Sequence, residues 1–211
     1  MKWSIITHNI RGLNDPENIA KERNFFTSLT PKVDIVMLQE HKLRGKTLEN
    51  LGSWLMPGCA SWVLEAAPGE RSWLNPNAAG KRCVGILLAN KYARLVTATG
   101  SLYDDRVVWI KLEGVEGGNV GLACVYAPNI PTERRHLWHI LVDSIPKDCE
   151  WIIGEDFNIT VRPEDKSHDY GKAISELERF TWKELLNSLQ VQYKYVYQGG
   201  PDSLGIMTKR K

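Results

Sequence analysis

The sequence has little of several things that would have decided its class at once. It carries only four cysteines, Cys59, Cys83, Cys124 and Cys149. None forms a Cys-x-x-Cys pair, which argues against a zinc site. Cys83 and Cys124 stand in apolar, strand-like runs, where cysteine serves as a small hydrophobe. Free thiols in a reducing, intracellular compartment are therefore expected. No apolar run is long enough to cross a membrane, so no membrane partner is expected. The short run after Met1-Lys2-Trp3 ends at Thr7, too soon for the core of a signal peptide. The net charge is only +2, so any contact with nucleic acid must rest on local patches instead of an overall positive field. Internal repeats, low-complexity segments and Pro/Gly/Ser-rich linkers are missing too, and the expectation is one domain over residues 1–211.

What is present suits a packed globular chain. Of the 211 residues, 43% are apolar and 25% charged, enough to build a substantial core. Strands are expected at Trp3 to Thr7, Ile35 to Leu38, Trp62 to Leu64, Val84 to Ala89, Val107 to Leu112, Val120 to Tyr126 and Trp151 to Ile153. The Glu116-Gly117-Gly118-Asn119 turn makes a hairpin of the fifth and sixth. Helices are expected at Ile19 to Leu29, started by Asp15 and Pro16; at Thr132 to Ile145, capped by Thr132; and at Ile174 to Leu189, through Leu177, Trp182, Leu185, Leu186 and Leu189. The stretch from Gly45 to Gly80 reads as loop-rich, and Gly199 to Lys211 shows turn chemistry without periodicity. Strands interleaved with helices imply a layered α/β or α+β domain.

Polar residues stand at or just past the ends of these strands: Asn9, Glu40, Tyr126, Asp156 and Asn158. A residue there is held by a rigid sheet and remains accessible, which suits a catalytic site. Singly, each reads more readily as a turn or packing residue. Together they fall in four segments: Asn9-Ile10-Arg11-Gly12-Leu13-Asn14, Leu38-Gln39-Glu40, Val125-Tyr126-Ala127-Pro128-Asn129 and Gly154-Glu155-Asp156-Phe157-Asn158.

In this order the segments resemble the successive motifs of the endonuclease/exonuclease/phosphatase superfamily. The flavour is that of the endonuclease domain of non-long-terminal-repeat (LINE-type) retrotransposons, similar in turn to apurinic/apyrimidinic endonucleases. The resemblance runs from Trp3 to about Gly200. It implies a four-layered α/β sandwich, two face-to-face mixed sheets flanked by helices. It implies a magnesium-dependent phosphodiester hydrolase, with Mn2+ as an alternative ion, acting on DNA. By resemblance, Glu40 binds the metal and Asn9 helps hold metal and substrate phosphate. Tyr126 and Asn158 contact the phosphate, and Asp156 orients or deprotonates the attacking water. The chemistry agrees: magnesium takes oxygen ligands and often only one or two carboxylates, and hydrogen-bond donors belong where phosphoryl charge grows.

The pattern departs from the family in two places. The usual terminal Ser-Asp-His, and the Arg-x-Asp segment before it, do not occur after Leu189. Ser167-His168-Asp169 has the wrong order and reads as a surface loop. Glu155 replaces a glycine common in the retrotransposon domains, and an added carboxylate there is expected to raise the pKa of Asp156. The first departure predicts a domain lacking its last strands, a C-terminally truncated form. It keeps open an inactive remnant or a binding-only domain beside the nuclease. A phosphatase acting on a small phosphate ester is a third reading, because fold does not fix substrate.

Basic residues near these motifs are candidate DNA contacts: Lys42, Arg44 and Lys46 after Glu40, Lys81 and Arg82 before a strand, and Arg71 beside Trp73. His136 and His139 share a helix face, and a solvated or packing role is the expectation for both; Arg134 and Arg135 beside them read as helix-surface arginines, with phosphate contact as the alternative. No sequence feature indicates a protein partner, although the resemblance admits a reverse transcriptase once fused to this domain. Action on genomic DNA would place it in the nucleus.

Overall fold

The computed structural model describes residues 3–13, 16–29, 33–43, 55, 59–63, 83–159, 175–189, 191–195 and 205–209. Two sheets carry the fold. The first has the order β1-β2-β4-β3, from β1 (Ile5–Asn9), β2 (Ile35–Gln39), β3 (Cys59–Val63) and β4 (Val84–Ala89). The second has the order β5-β6-β7-β8-β10-β9. Its strands are β5 (Val96–Leu102), β6 (Val107–Val115), β7 (Gly118–Tyr126), β8 (Glu150–Asp156), β9 (Val191–Tyr195) and β10 (Gly205–Lys209). Helices α1 (Pro16–Leu29), α2 (Asn90–Ala93), α3 (Pro131–Ser144) and α4 (Glu176–Ser188) complete the described elements.

Three apolar clusters define four layers. Ile35, Met37, Val84, Ile86 and Leu88 of the first sheet meet Val108, Ile110, Leu112, Leu122 and Cys124 of the second, making the layer between the sheets. On the outer face of the first sheet, Val36, Leu38 and Leu87 pack with Phe26 of α1. On the outer face of the second, Val107, Ala123, Val125 and Ile153 pack with Leu137, Trp138 and Leu141 of α3 and Trp182 and Leu185 of α4. The architecture is the four-layered α/β sandwich expected. Strands β2 and β4 are buried on both faces because each sheet is covered twice, and they read as unbroken apolar runs for that reason.

The two sheets approach closely at Gly154 of β8. A Cβ there would collide with Met37 of β2, whose Sδ, Cβ and Cγ all lie in its way. Glycine at this strand position serves a close approach of backbone to side chain, two residues before Asp156.

Several expectations need correction. β1 begins at Ile5 and runs to Asn9, because its parallel partner β2 pairs Ile5 with Ile35 through Asn9 with Gln39. The α1 helix begins at Pro16, and Asp15 lies outside the described residues. Helix α3 starts one residue earlier than expected, at Pro131, with Ile130 at its cap position and no side-chain cap. Proline with its fixed φ takes the first helical position, so Thr132 lies inside the helix. The cap of α4 is Ser175: its Oγ accepts from Glu178 N–H at 3.2 Å, while the Glu178 carboxylate accepts from Ser175 N–H at 3.3 Å. Strands β5, β9 and β10 were unforeseen. The final strand, β10, lies between β8 and β9 and pairs antiparallel with both.

All four cysteines are outside any disulfide. Burial pushes the Cys124 thiol up to about 12, leaving it a packing group with no thiolate chemistry. No described helix is long and apolar enough to cross a membrane.

Candidate active site

Two parallel strand pairs, one in each sheet, end at the same edge of the sandwich. β1 pairs with β2 in the first sheet, and Asn9 is opposite Gln39. β7 pairs with β8 in the second, and Tyr126 is opposite Asp156. β1 and β2 both lie against β8. Four strand ends therefore present Asn9, Glu40, Tyr126 and Asp156 to one another. The carboxyl ends of parallel strands are where α/β sheets characteristically bind ligands.

Asn9 joins the sheets. Its Nδ2 donates to Glu40 Oε1 at 3.0 Å and to Asp156 Oδ2 at 2.7 Å. Its Oδ1 accepts from Arg11 N–H at 3.0 Å, which fixes the amide orientation. The other carboxylate oxygen of Asp156 accepts from Asn158 N–H at 3.0 Å, and Asn158 Nδ2 donates to the Ala127 carbonyl at 2.7 Å. The Asp156 carbonyl in turn accepts from Ala127 N–H at 2.8 Å. The Tyr126 hydroxyl donates to Glu40.

Backbone strain marks the same place. Arg11, Glu40, Lys42 and Asn158 all adopt left-handed conformations, with φ of 58°, 56°, 57° and 51°. Non-glycine residues hold this region only where the surroundings fix them, and such residues gather at functional sites.

The electrostatics follow from burial and from two carboxylates in one site. Burial raises the Asp156 carboxyl above its usual range and the charge of Glu40 adds to it, against the opposing donors Asn9 and Asn158 and the charge of Arg11. Glu155, expected to contribute here, has its side chain outside the described residues. Burial and the negative Glu40 push the Tyr126 hydroxyl far up, so it remains a protonated donor. Lys42 Nζ lies 3.6 Å from Glu40 Oε2 and 3.4 Å from the Arg11 carbonyl.

Arg106 escaped sequence reasoning. It is nearly buried, its guanidinium faces the Tyr126 ring at 5.7 Å, and its Nη1 donates to the Tyr126 carbonyl at 3.4 Å. It follows three left-handed residues, Tyr103, Asp104 and Asp105. An arginine at a strand start gives no sequence signal of burial.

Of the expected site residues, Asn9, Glu40, Tyr126, Asp156 and Asn158 come together, with Lys42 at the rim. Arg44, Arg71 and Arg82 lie outside the described residues, as do Lys46, Trp73, Lys81 and Ser167 to Asp169. His8 turns away to bond Glu22 Oε2 at 2.9 Å and to pack on Phe25 and Phe26. His41 is buried, with Nδ1 accepting from Leu43 N–H. His136 lies edge-on to Tyr103, and His139 lines a cleft between α3 and α4. Arg134, expected on a solvated face, is instead buried and paired with Glu178.

The donor set suits a hard divalent cation. Glu40, Asp156 and the Tyr126 hydroxyl offer only oxygen, and a cation would relieve the charge of Glu40 that helps raise Asp156 and Tyr126. Among the described residues no cluster of three or more His, Cys, Asp and Glu side chains is placed to hold a metal, so water would complete the shell, as magnesium prefers.

No family model and no curated protein matches the sequence. Solved structures do match the fold. An AP endonuclease from Archaeoglobus fulgidus superposes with a TM-score of 0.65 at 15% identity, covering 98% of this chain and 87% of that one. A 3'-5' exonuclease from Neisseria meningitidis gives 0.64 at 16% identity, covering 97% and 86%. An endonuclease/exonuclease/phosphatase family protein from Leptotrichia buccalis gives 0.60 at 13% identity, covering 99% and 88%.

Proposed function

With a fold shared by an AP endonuclease, an exonuclease and an endonuclease/exonuclease/phosphatase family protein, we propose that the chain is a magnesium-dependent phosphodiester hydrolase of the retrotransposon type that nicks DNA. The observation that carries this reading is the Asn9 amide, which gathers Glu40 and Asp156 from separate sheets. Glu40 holds the metal, and Asn9 sets the spacing of the two carboxylates and offers its Oδ1. Magnesium, when bound, polarises the phosphoryl oxygen and offsets the charge that builds there.

Asp156 acts on the attacking water. Its raised pKa makes it a better base near neutrality than an ordinary aspartate. The Asn158 N–H and the Asn9 amide hold both of its oxygens, fixing the direction from which it takes a proton. Tyr126 stays protonated and can donate to a phosphoryl oxygen. Lys42 at the rim meets the DNA backbone, and Arg44, Arg71 and Arg82 are further candidates for that contact.

A second reading, a remnant with weak or no turnover, is favoured by one observation. Among the described residues, His8 bonds Glu22, His41 bonds Leu43 and His136 packs on Tyr103, contacts made away from Asp156. In this reading a leaving oxygen has no histidine to protonate it. Parallel assays of supercoiled plasmid and of a small phosphate monoester, with magnesium and with a chelator, separate the readings. Magnesium-dependent nicking without ester hydrolysis supports the nuclease. Ester hydrolysis alone supports the phosphatase, and neither activity supports the remnant.

A further inference from the structure

A buried ion pair outside the catalytic edge reaches into it. Arg134 of α3 and Glu178 of α4 are both nearly inaccessible, and Arg134 Nη2 donates to Glu178 Oε1 at 2.5 Å. The Glu178 carboxylate is held from its far side by Ser175. Arg134 also uses Nη1 on two backbone carbonyls, those of Pro128 at 3.0 Å and Asn129 at 3.1 Å. These belong to the segment between β7 and α3, whose first residue, Ala127, accepts the Asn158 side-chain amide and donates to Asp156.

We infer that Arg134, braced by Glu178, is a positioning residue that fixes the 127–129 backbone and through it the direction of the Asn158 side chain beside Asp156. This rests on the proposed phosphodiesterase site, but its structural core does not depend on turnover. A buried charge pair is a poor source of stability, since apolar residues of similar volume commonly do as well. Arg134 gives three hydrogen bonds in one fixed fork, a geometry that lysine cannot reproduce. The two carbonyls it grips have their amide planes in the turn that leads from Tyr126 to the helix. Releasing them frees the Ala127 carbonyl to rotate, and Asn158 loses its fixed acceptor.

The test is the double variant Arg134→Met/Glu178→Leu, which removes the fork without leaving an unpaired buried charge. Side-chain amide hydrogen exchange, followed by NMR, reports directly on Asn158. Exchange at Asn158 should accelerate by about tenfold, the scale of one lost hydrogen bond, while exchange at the Asn9 side-chain amide stays unchanged. In the nicking assay kcat should fall by about 10- to 100-fold, the scale of a misplaced catalytic contact, with KM little altered. Unchanged Asn158 exchange in a folded variant overturns the inference, as does equal acceleration at Asn9. If the double variant does not fold, Arg134→Lys decides in the same way, because it retains a cation for Glu178. A wild-type protein without nicking would sink the nuclease reading, and the exchange result would still decide the role of Arg134.

Discussion

The side-chain amide of Asn9, at the end of β1, donates to Asp156 Oδ2 at the end of β8 over 2.7 Å, linking residues 147 positions apart and in different sheets. The same nitrogen reaches Glu40 at 3.0 Å. One amide thus sets the spacing of the two carboxylates. Replacing it leaves two acids facing each other without a shared donor.

Asn9→Ala should therefore lower kcat by about 10²-fold, the usual scale for losing a positioned donor. It should also move the acid limb of the pH–rate profile to higher pH. The direction follows from the amide's present effect: its hydrogen bond lowers the pKa of Asp156 against burial and Glu40, so its removal raises that pKa further. A profile measured from acid to neutral pH checks this, and an unmoved limb would separate Asn9 from Asp156.

Much of this was legible in the sequence, for physical reasons. Ile35 to Leu38 of β2 and Val84–Ala89 are covered on both faces, so they read as apolar runs and announce themselves. The site residues were found because they close such strands. β5 was missed because one face is open: Val96, Ala98, Gly100 and Leu102's neighbours alternate small and polar residues along an edge strand. β10 depends on pairing with β8, and β9 on pairing with β10, instead of on a local apolar pattern. The burial of Arg106 and Arg134 comes from tertiary contacts, and an arginine on a helix or strand start looks the same in sequence whether it is solvated or enclosed.

Asp156→Asn should stabilise the protein at neutral pH. The folded-state carboxyl is raised above its usual value, chiefly by burial, so the folded protein favours the protonated form. That contribution is fully present below the unfolded value and is lost as pH rises through the folded one. Thermal melts across this range should show the variant's advantage at pH 7 shrinking as pH falls toward 4. A variant no more stable than wild type at pH 7 would contradict the cost assigned to the buried charge.

Saturating magnesium should raise the melting temperature of the wild type. Ligand at about 100 times its dissociation constant adds about 2.7 kcal/mol. Glu40→Gln should abolish most of that shift while leaving the metal-free melt close to wild type. Equal shifts in both proteins would place the ion elsewhere.

Gly154→Ala should destabilise the protein by about 1–3 kcal/mol, the cost of overpacking a filled core, since the new methyl meets Met37 of the facing sheet. Denaturant unfolding measures it. Adding Met37→Ala should recover part of the loss, because the two positions share one space; strictly additive losses would show that the close approach is not the cause.

The edge where Asn9, Glu40, Tyr126 and Asp156 meet is proposed to hydrolyse phosphodiester bonds in DNA. The most direct measurement is conversion of supercoiled plasmid to the nicked form by purified wild type and Asp156→Ala side by side, with magnesium and with chelator. Nicking is expected from wild type only with magnesium, with a rate at least about 10³-fold lower for Asp156→Ala. Nicking that survives in Asp156→Ala, or that proceeds equally under chelator, would contradict it.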